Sequence, residues 1–173
     1  MKKYLWIFIV PLMFAGHSCQ EAIDIAEEEA AVITVNEEEQ DAYFDRDLSR
    51  LEAVWVLEPT SRRVFTTLKL VGWDQIRSNY EEAINNSEWW ETTEDISASF
   101  SDYRVNMYDN TALIYHDIQW SGKRDGELID VKQERIVHLV KKNGSWKIDL
   151  IVQLSVPAEE EVREDIPESE DSE

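Results

Sequence analysis

The dipeptide Asn143-Gly144 constrains this chain more than any other feature, because it separates two runs of strand-like apolar residues, 135–141 and 146–156. Asn-Gly between such runs predicts a tight two-residue hairpin, since both residues tolerate the left-handed backbone that the turn needs. A hairpin of that length sets the register. Lys142 opposes Ser145, so Leu139 opposes Ile148, Val137 opposes Leu150 and Arg135 opposes Val152. Opposed residues share a face of the sheet. Trp146, Ile148, Leu150 and Val152 then make a continuous apolar row, and that face is expected to cover the core. The other face pairs His138 with Asp149 and Val140 with Lys147. On this register His138 and Asp149 form a surface pair rather than a catalytic dyad, worth at most about 1 kcal/mol. Arg135 points inward, where a guanidinium needs a partner. Two partners are open to it: an anionic ligand, or a helix carboxylate such as Glu39.

Asp109-Asn110 marks another hairpin, between 104–108 and 112–120, and Gly122 and Gly126 are read as the loop joining the two hairpins. On the strand after Asn110, Ala112, Ile114, His116, Ile118 and Trp120 alternate with Leu113, Tyr115, Asp117 and Gln119. The first set is more apolar and is predicted to face in, which makes His116 an interior histidine. Such a residue is either hydrogen-bonded in the core or, beside a carboxylate in a wet cleft, a proton carrier.

Helical spacing dominates earlier in the chain. Residues 28–46 place Val32, Val35, Glu39, Ala42 and Tyr43 on one face, with Ile33 and Phe44 beside them. Asp47 is a cap for a second helix with a stripe of Leu48, Leu51 and Val54, closed by Pro59. A strand-like stretch, 64–70, ends at Gly72. Trp73, Ile76, Tyr80, Ala83 and Ile84 mark a third helix ending near Asn85-Asn86. Trp89-Trp90 is read as strand, with one ring at a cavity rim or an interface. Helices to one side of an antiparallel sheet make an α+β fold.

The first nineteen residues concern address rather than fold. Lys2 and Lys3 precede an apolar run, 4–15, then Gly16-His17-Ser18 and Cys19. This is the pattern of a secretory signal. The run of about twelve residues is short of the roughly 20 that a spanning helix needs. A cysteine just after the cut resembles the lipobox of bacterial lipoproteins. Ser18 fits that pattern, whereas Gly16 stands where Leu is usual and His17 where a small residue is usual. Cys19 is the only cysteine, so it has no disulfide partner within the chain, and lipidation supplies a role for it. The expected organisation is a signal peptide at 1–18, a lipidated Cys19 opening an acidic tether to 27, one domain at 28–156 and an acidic tail at 157–173. The tail crowds nine acids into 159–173 and is expected to be disordered. The expected location is the bacterial cell envelope, with the lipid as the membrane contact.

The chain of 173 residues has 17 basic and 37 acidic residues, a formal charge of −20. Loss of the signal with Lys2 and Lys3 takes it to −22. Such a surface repels phosphate backbones, so nucleic acid is not an expected partner. No His, Cys, Asp and Glu cluster has metal-ligand spacing, and no phosphate loop, nucleophile elbow or dinucleotide fingerprint occurs. No metal or cofactor is expected.

Taken together, the segments carry a family likeness. The long first helix ending in Ala42, Asp47-Leu48 opening a short helix, Gly72-Trp73-Asp74-Gln75-Ile76 opening the third, the hairpin at Asp109-Asn110-Thr111-Ala112 and the last hairpin, Lys142 to Ile148, are similar in order to the nuclear-transport-factor-2-like superfamily, in particular its SnoaL-like branch. The resemblance covers about residues 28–156. It implies a strongly curved antiparallel sheet wrapped around N-terminal helices, a cone-shaped, cystatin-like roll with a pocket. The residues expected to line that pocket are Trp55, Tyr80, His116, Trp120, Arg135, Val137, Leu150 and Val152. Relatives in that branch often carry histidines four and six residues after the hairpin tryptophan; Leu150 and Val152 stand there.

Two functions follow as expectations. One is a non-catalytic, lipid-anchored module that binds a small apolar or amphipathic molecule or an envelope protein. The other is an isomerase- or dehydratase-type enzyme using His116 with Arg135 and a tyrosine, Tyr43 or Tyr80. The resemblance also implies pairing of two copies through the outer sheet face, where Ile136, Val140 and Ile151 are expected.

Overall fold

Residues 24–156 are described by a computed structural model. In chain order the elements are α1 (Ile25–Phe44), α2 (Leu48–Val54), β1 (Arg62–Phe65), β2 (Lys69–Val71), α3 (Trp73–Ile84), α4 (Ser87–Thr92), β3 (Thr93–Met107), β4 (Thr111–Arg124), β5 (Glu127–Lys142) and β6 (Ser145–Ser155). The strands form one curved, unclosed sheet in the order β2-β1-β6-β5-β4-β3. Neighbours are antiparallel except β1 and β6, which run parallel. The architecture is α+β. Signal peptide, Cys19 and acidic tail lie outside the described residues.

Local chemistry accounts for the helix ends. Asp24 accepts from the backbone N–H groups of Ala26 and Glu27 at 3.0 and 3.4 Å, and Glu27 and Glu28 suit the positive end of the dipole. So α1 starts at Ile25, and part of the supposed acidic tether is helix. Asp47 caps α2 in the same way, at 3.0 and 3.1 Å from the N–H groups of Ser49 and Arg50. The stretch 64–70 is not one strand: β1 and β2 fold back on each other, with Val64 opposite Lys69. Trp89 and Trp90 lie in a helix, not a strand, because Asn86 caps the turn by accepting from the Trp89 N–H at 3.0 Å.

Two turns have two consecutive residues with positive φ. One is Asn143 (51°) and Gly144 (82°); the other is Asp125 (51°) and Gly126 (84°). This geometry matches the right-handed twist of the flanking strands. The second turn replaces the loop expected around Gly122 and Gly126, so β4 and β5 form one long hairpin. Gly122 lies within β4, where an added Cβ would stand 3.0 Å from the Glu94 carbonyl oxygen and the Ile96 Cα. It allows β3 to pass closely at its bulge between Glu94 and Ser97.

The last hairpin keeps the expected register for four pairs, Lys142–Ser145 to Leu139–Ile148, and then departs from it. A bulge makes Asp149 an extra residue, so His138 opposes Leu150, Val137 opposes Ile151, Ile136 opposes Val152 and Arg135 opposes Gln153. Every later side chain on β6 is thereby turned over. Ile151 and Gln153 are buried among the inward residues. Leu150 and Val152, expected in the pocket, lie on the outer face, and Ile151, expected outside, is in the core. A bulge raises local twist, and this one lies where β6 begins to run beside β1, with Arg62 opposite Leu150.

The core lies between helices and concave sheet: Val32, Leu51, Trp55, Ile76, Tyr80, Ile114, Val137, Leu139, Ile148 and Ile151 belong to it. Truncating Ile151 to Ala should cost about 2–4 kcal/mol in urea unfolding, as for other buried Ile to Ala changes, while Val152→Ala should cost less than about 1 kcal/mol. The reverse ranking would restore the unbulged register.

Candidate functional site

The inward face of the sheet and the buried side of α1 are unusually polar. Val32, Asn36, Glu39 and Gln40 are all buried on that helix. Glu39 is 1% exposed and lies at the centre of the site. Its Oε2 accepts from Arg135 Nη2 at 2.7 Å. Its Oε1 accepts a short hydrogen bond from the Tyr80 hydroxyl and stands 3.6 Å from Arg63 Nη2. Burial opposes ionisation of Glu39. The charges of Arg135 and Arg63, with the hydrogen bonds from Tyr80 and Arg135, outweigh it and hold the carboxyl below its usual range. Burial, then the neighbouring Glu39 charge, pushes the Tyr80 hydroxyl well up despite the opposing Arg63 charge, so it stays a donor.

A second group surrounds His116, which is 4% exposed. Its Nδ1 lies 3.1 Å from the Asp117 backbone carbonyl and its Nε2 3.2 Å from Asn36 Nδ2. A carbonyl can only accept, so Nδ1 carries the proton and Nε2 accepts from the Asn36 amide. Asn36 Oδ1 faces Arg135 Nη1 at 3.5 Å, which orients that amide. The imidazole stacks on Tyr103 with centroids 4.9 Å apart. The Tyr103 hydroxyl donates to Glu37 at 3.0 Å. Burial first, and the nearby Arg135 charge second, lower His116 to about 4. It is therefore neutral at neutral pH, and its near neighbour is an amide, not a carboxylate.

Rings continue outward from Tyr80. Its centroid is 6.4 Å from that of Tyr43, which is 5.7 Å from Trp90. Phe44 meets Trp120 edge-on at 5.7 Å. Trp120 Nε1–H donates to Gln133 Oε1 at 2.8 Å, and Gln153 Nε2–H to the same oxygen at 2.5 Å.

Of the residues expected to line a pocket, Trp55, Tyr80, His116, Arg135 and Val137 are buried on the inner side, Trp120 is half-buried there, and Leu150 and Val152 are outside. Arg135 takes the helix carboxylate as its partner. Of the enzyme set, Tyr80 and Arg135 meet on Glu39 and Tyr43 adjoins Tyr80, while His116 is tied in only through Asn36. Inner-face polarity on β6 is not lost, since Gln153 supplies it. Sequence reasoning missed Arg63, Asn36, Tyr103 and Gln153. The spacing Val32, Asn36, Glu39, Tyr43 could have exposed Asn36, and alternation of Arg63 with Phe65 could have exposed Arg63.

His138 Nδ1 lies 3.4 Å from Asp149 Oδ2, both part-exposed on the outer face. A cleft of about 450 Å³ on that face is lined by Asp102, Arg104, Tyr115, Asp117, Glu134 and Ile136. His116 and Arg135, which lie between these outward residues on β4 and β5, also belong to its lining. A groove of about 320 Å³ at the other end of the roll adjoins Glu28, which accepts from Lys141 Nζ and Trp146 Nε1, each at 2.6 Å. Among the described residues no three His, Cys, Asp or Glu side chains are grouped to hold a metal ion, and no helix is long and apolar enough to cross a membrane.

The buried histidine has a consequence for stability. Its folded value near 4 lies below the unfolded value of about 6.5, so the unfolded chain binds more protons between these values. Stability should fall as pH drops from about 6.5 to about 4, by at most about 1.4 kcal/mol per pH unit for one proton. In His116→Gln, urea unfolding should be flatter over this window. An unchanged slope would remove His116 as its cause.

No family model matches the sequence and no curated protein is similar to it. Solved structures do resemble it. A nuclear transport factor 2 (NTF2-like) superfamily protein from Salmonella enterica superposes with a TM-score of 0.64 at 15% identity, over 80% of this chain and 96% of that one. The hexachlorocyclohexane dehydrochlorinase LinA-type3 from Novosphingobium barchaimii gives 0.62 at 14% identity, over 78% and 90%. A Nostoc punctiforme protein with a cystatin-like fold gives 0.63 at 10% identity, over 77% and 94%. At these identities the likeness is one of fold: the chain has the NTF2-like, cystatin-like α+β architecture.

Proposed function

We propose that this chain is a non-catalytic binding module of the bacterial envelope, held to the membrane by a lipid on Cys19 and taking up a small amphipathic molecule in its roll. The observation that carries this reading is the commitment of the interior acid–base groups to one another. Glu39 is ionised and bonded by Tyr80 and Arg135. The acceptor nitrogen of His116 is occupied by Asn36. A general base needs a lone pair within reach of a substrate proton; that of His116 Nε2 is taken by Asn36, and the Glu39 carboxylate, bonded by Tyr80 and Arg135, is only 1% exposed. The rings of Tyr43, Trp90, Phe44 and Trp120 supply apolar surface beside this polar centre. The fold does not choose between the functions, because it is shared with a dehydrochlorinase.

An isomerase- or dehydratase-type enzyme is the second reading. It draws on the neutral state of His116 at physiological pH and requires Asn36 to move aside, with Arg135 and Tyr43 or Tyr80 assisting. The outer face, where Leu113 and Leu150 flank His138, Ile136 and Val140 lie on either side of it along β5, and Val152 opposes Ile136, suits pairing with a second copy or an envelope protein.

Native mass spectrometry of the full-length protein, extracted from its host membrane in mild detergent, tests the first reading. The expected result is a chain lacking residues 1–18, carrying a diacylglycerol on Cys19 and retaining a small molecule. An unmodified Cys19, or a turnover activity abolished by His116→Ala, would count against it.

A further inference from the structure

Two guanidinium groups face one carboxylate inside the roll. Arg135 is matched to Glu39 at 2.7 Å, whereas Arg63 reaches the same carboxylate only at 3.6 Å. Tyr80 and His116 add no charge. Among the described residues, this interior group therefore carries one excess positive charge. A buried charge without a counterion is costly, and the acidic composition of the chain makes an unmatched interior cation more conspicuous still.

The hydrogen bonds point the same way. Arg63 Nε, Arg135 Nε and Gln153 Oε1 are buried and have no hydrogen-bond partner. Arg135 and Gln153 are 1% and 5% exposed. The three are neighbours: Arg63 is opposite Ile151, two residues from Gln153 on β6, and Gln153 is opposite Arg135. They belong to three adjacent strands and point to the same concave face. Native interiors leave few such atoms unsatisfied. Arg63 itself is wedged between Tyr80 and Phe65, with its guanidinium carbon 4.2 and 4.7 Å from the ring centroids. Its side chain retains 11% exposure, against 0% for that of Arg135.

We infer that Arg63 is the anchor for the carboxylate of an amphipathic ligand, with Gln153 beside it. The inference rests on the reading of the chain as a small-molecule binder and names the ligand class. A monoanion matches the single excess charge. A guanidinium suits a carboxylate, and although Arg63 Nη1 donates to Asn79 Oδ1 at 3.4 Å and Nη2 faces Glu39 at 3.6 Å, its Nε has no partner. The ligand's apolar part would lie along Tyr43 and Trp90, the rings leading away from Tyr80.

The test compares isosteric anionic and neutral probes on the full-length protein at fixed ionic strength. Sodium benzoate is titrated against benzamide, and hexanoate against hexanamide, with tryptophan fluorescence and calorimetry as readouts. Each carboxylate should bind at least tenfold more tightly than its amide. Arg63→Met should abolish that preference, bringing carboxylate and amide to the same affinity. Should Arg63→Met fail to fold, Arg63→Lys, which keeps the charge and loses the guanidinium, should reduce the preference. Equal binding of acid and amide by the unaltered protein would overturn the assignment of Arg63 while leaving the binding-module reading intact. Binding of neither probe would count against both. A preference that survives in Arg63→Met would transfer the anchor to another cation.

Discussion

A carboxylate buried in the middle of α1 is the constraint on which the other contacts depend. Glu39 binds Arg135 of β5 and Tyr80 of α3, and Arg63 of β1 stands close by. Four elements distant in sequence thus meet at one charge. An ionised carboxylate is not tolerated in an apolar interior unless charge and hydrogen bonds surround it. The partners of Glu39 on β5, α3 and β1 therefore help fix the rotation and height of the helix on the sheet. Its N-terminal end is pinned separately, where Glu28 accepts from Lys141 and Trp146 of the last hairpin.

This arrangement explains why α1 looks weakly amphipathic. Its buried stripe contains Asn36, Glu39 and Gln40 as well as Val32 and Ala42. The polar residues are not exposed positions misread by pattern. They are the helix's half of a network whose other half is on the sheet. Much of the chemistry carried by the inner face is consumed in holding the fold: Asn36 links His116 to Arg135, and Tyr103 stacks on the imidazole. What is left over is one guanidinium charge and a small set of unmatched donors and acceptors, and this residue of polarity is where a ligand has something to gain.

The bulge at Asp149 decides which side chains take part. Before it, β6 follows the register that the Asn143-Gly144 turn dictates. Beyond it, Ile151 and Gln153 face in and Leu150 and Val152 face out. The sequence 148–152, Ile-Asp-Leu-Ile-Val, is apolar at three successive positions after Asp149. Either register buries aliphatic side chains, so hydrophobic pattern alone does not distinguish them. The choice falls to the sheet as a whole, which must twist enough to wrap around the helices and admit β1 as a parallel neighbour.

Local features were legible in the sequence for a physical reason: they are decided within a few residues. Asp47 caps α2, Asn143-Gly144 turns the last hairpin, and Trp73, Ile76 and Tyr80 form the buried stripe of α3, since capping, turn chemistry and helical spacing act at short range. The α+β class and the inward face of β4, with His116 on it, follow from the same reasoning. Tertiary structure alone decided the extra residue in β6, the recruitment of Arg63, and the satisfaction of His116 by an amide rather than a carboxylate. These outcomes depend on curvature, and on partners distant in sequence, from Glu39 and Arg63 to Asn36 and His116, finding one another across the sheet, and neither is written in the spacing of any single segment.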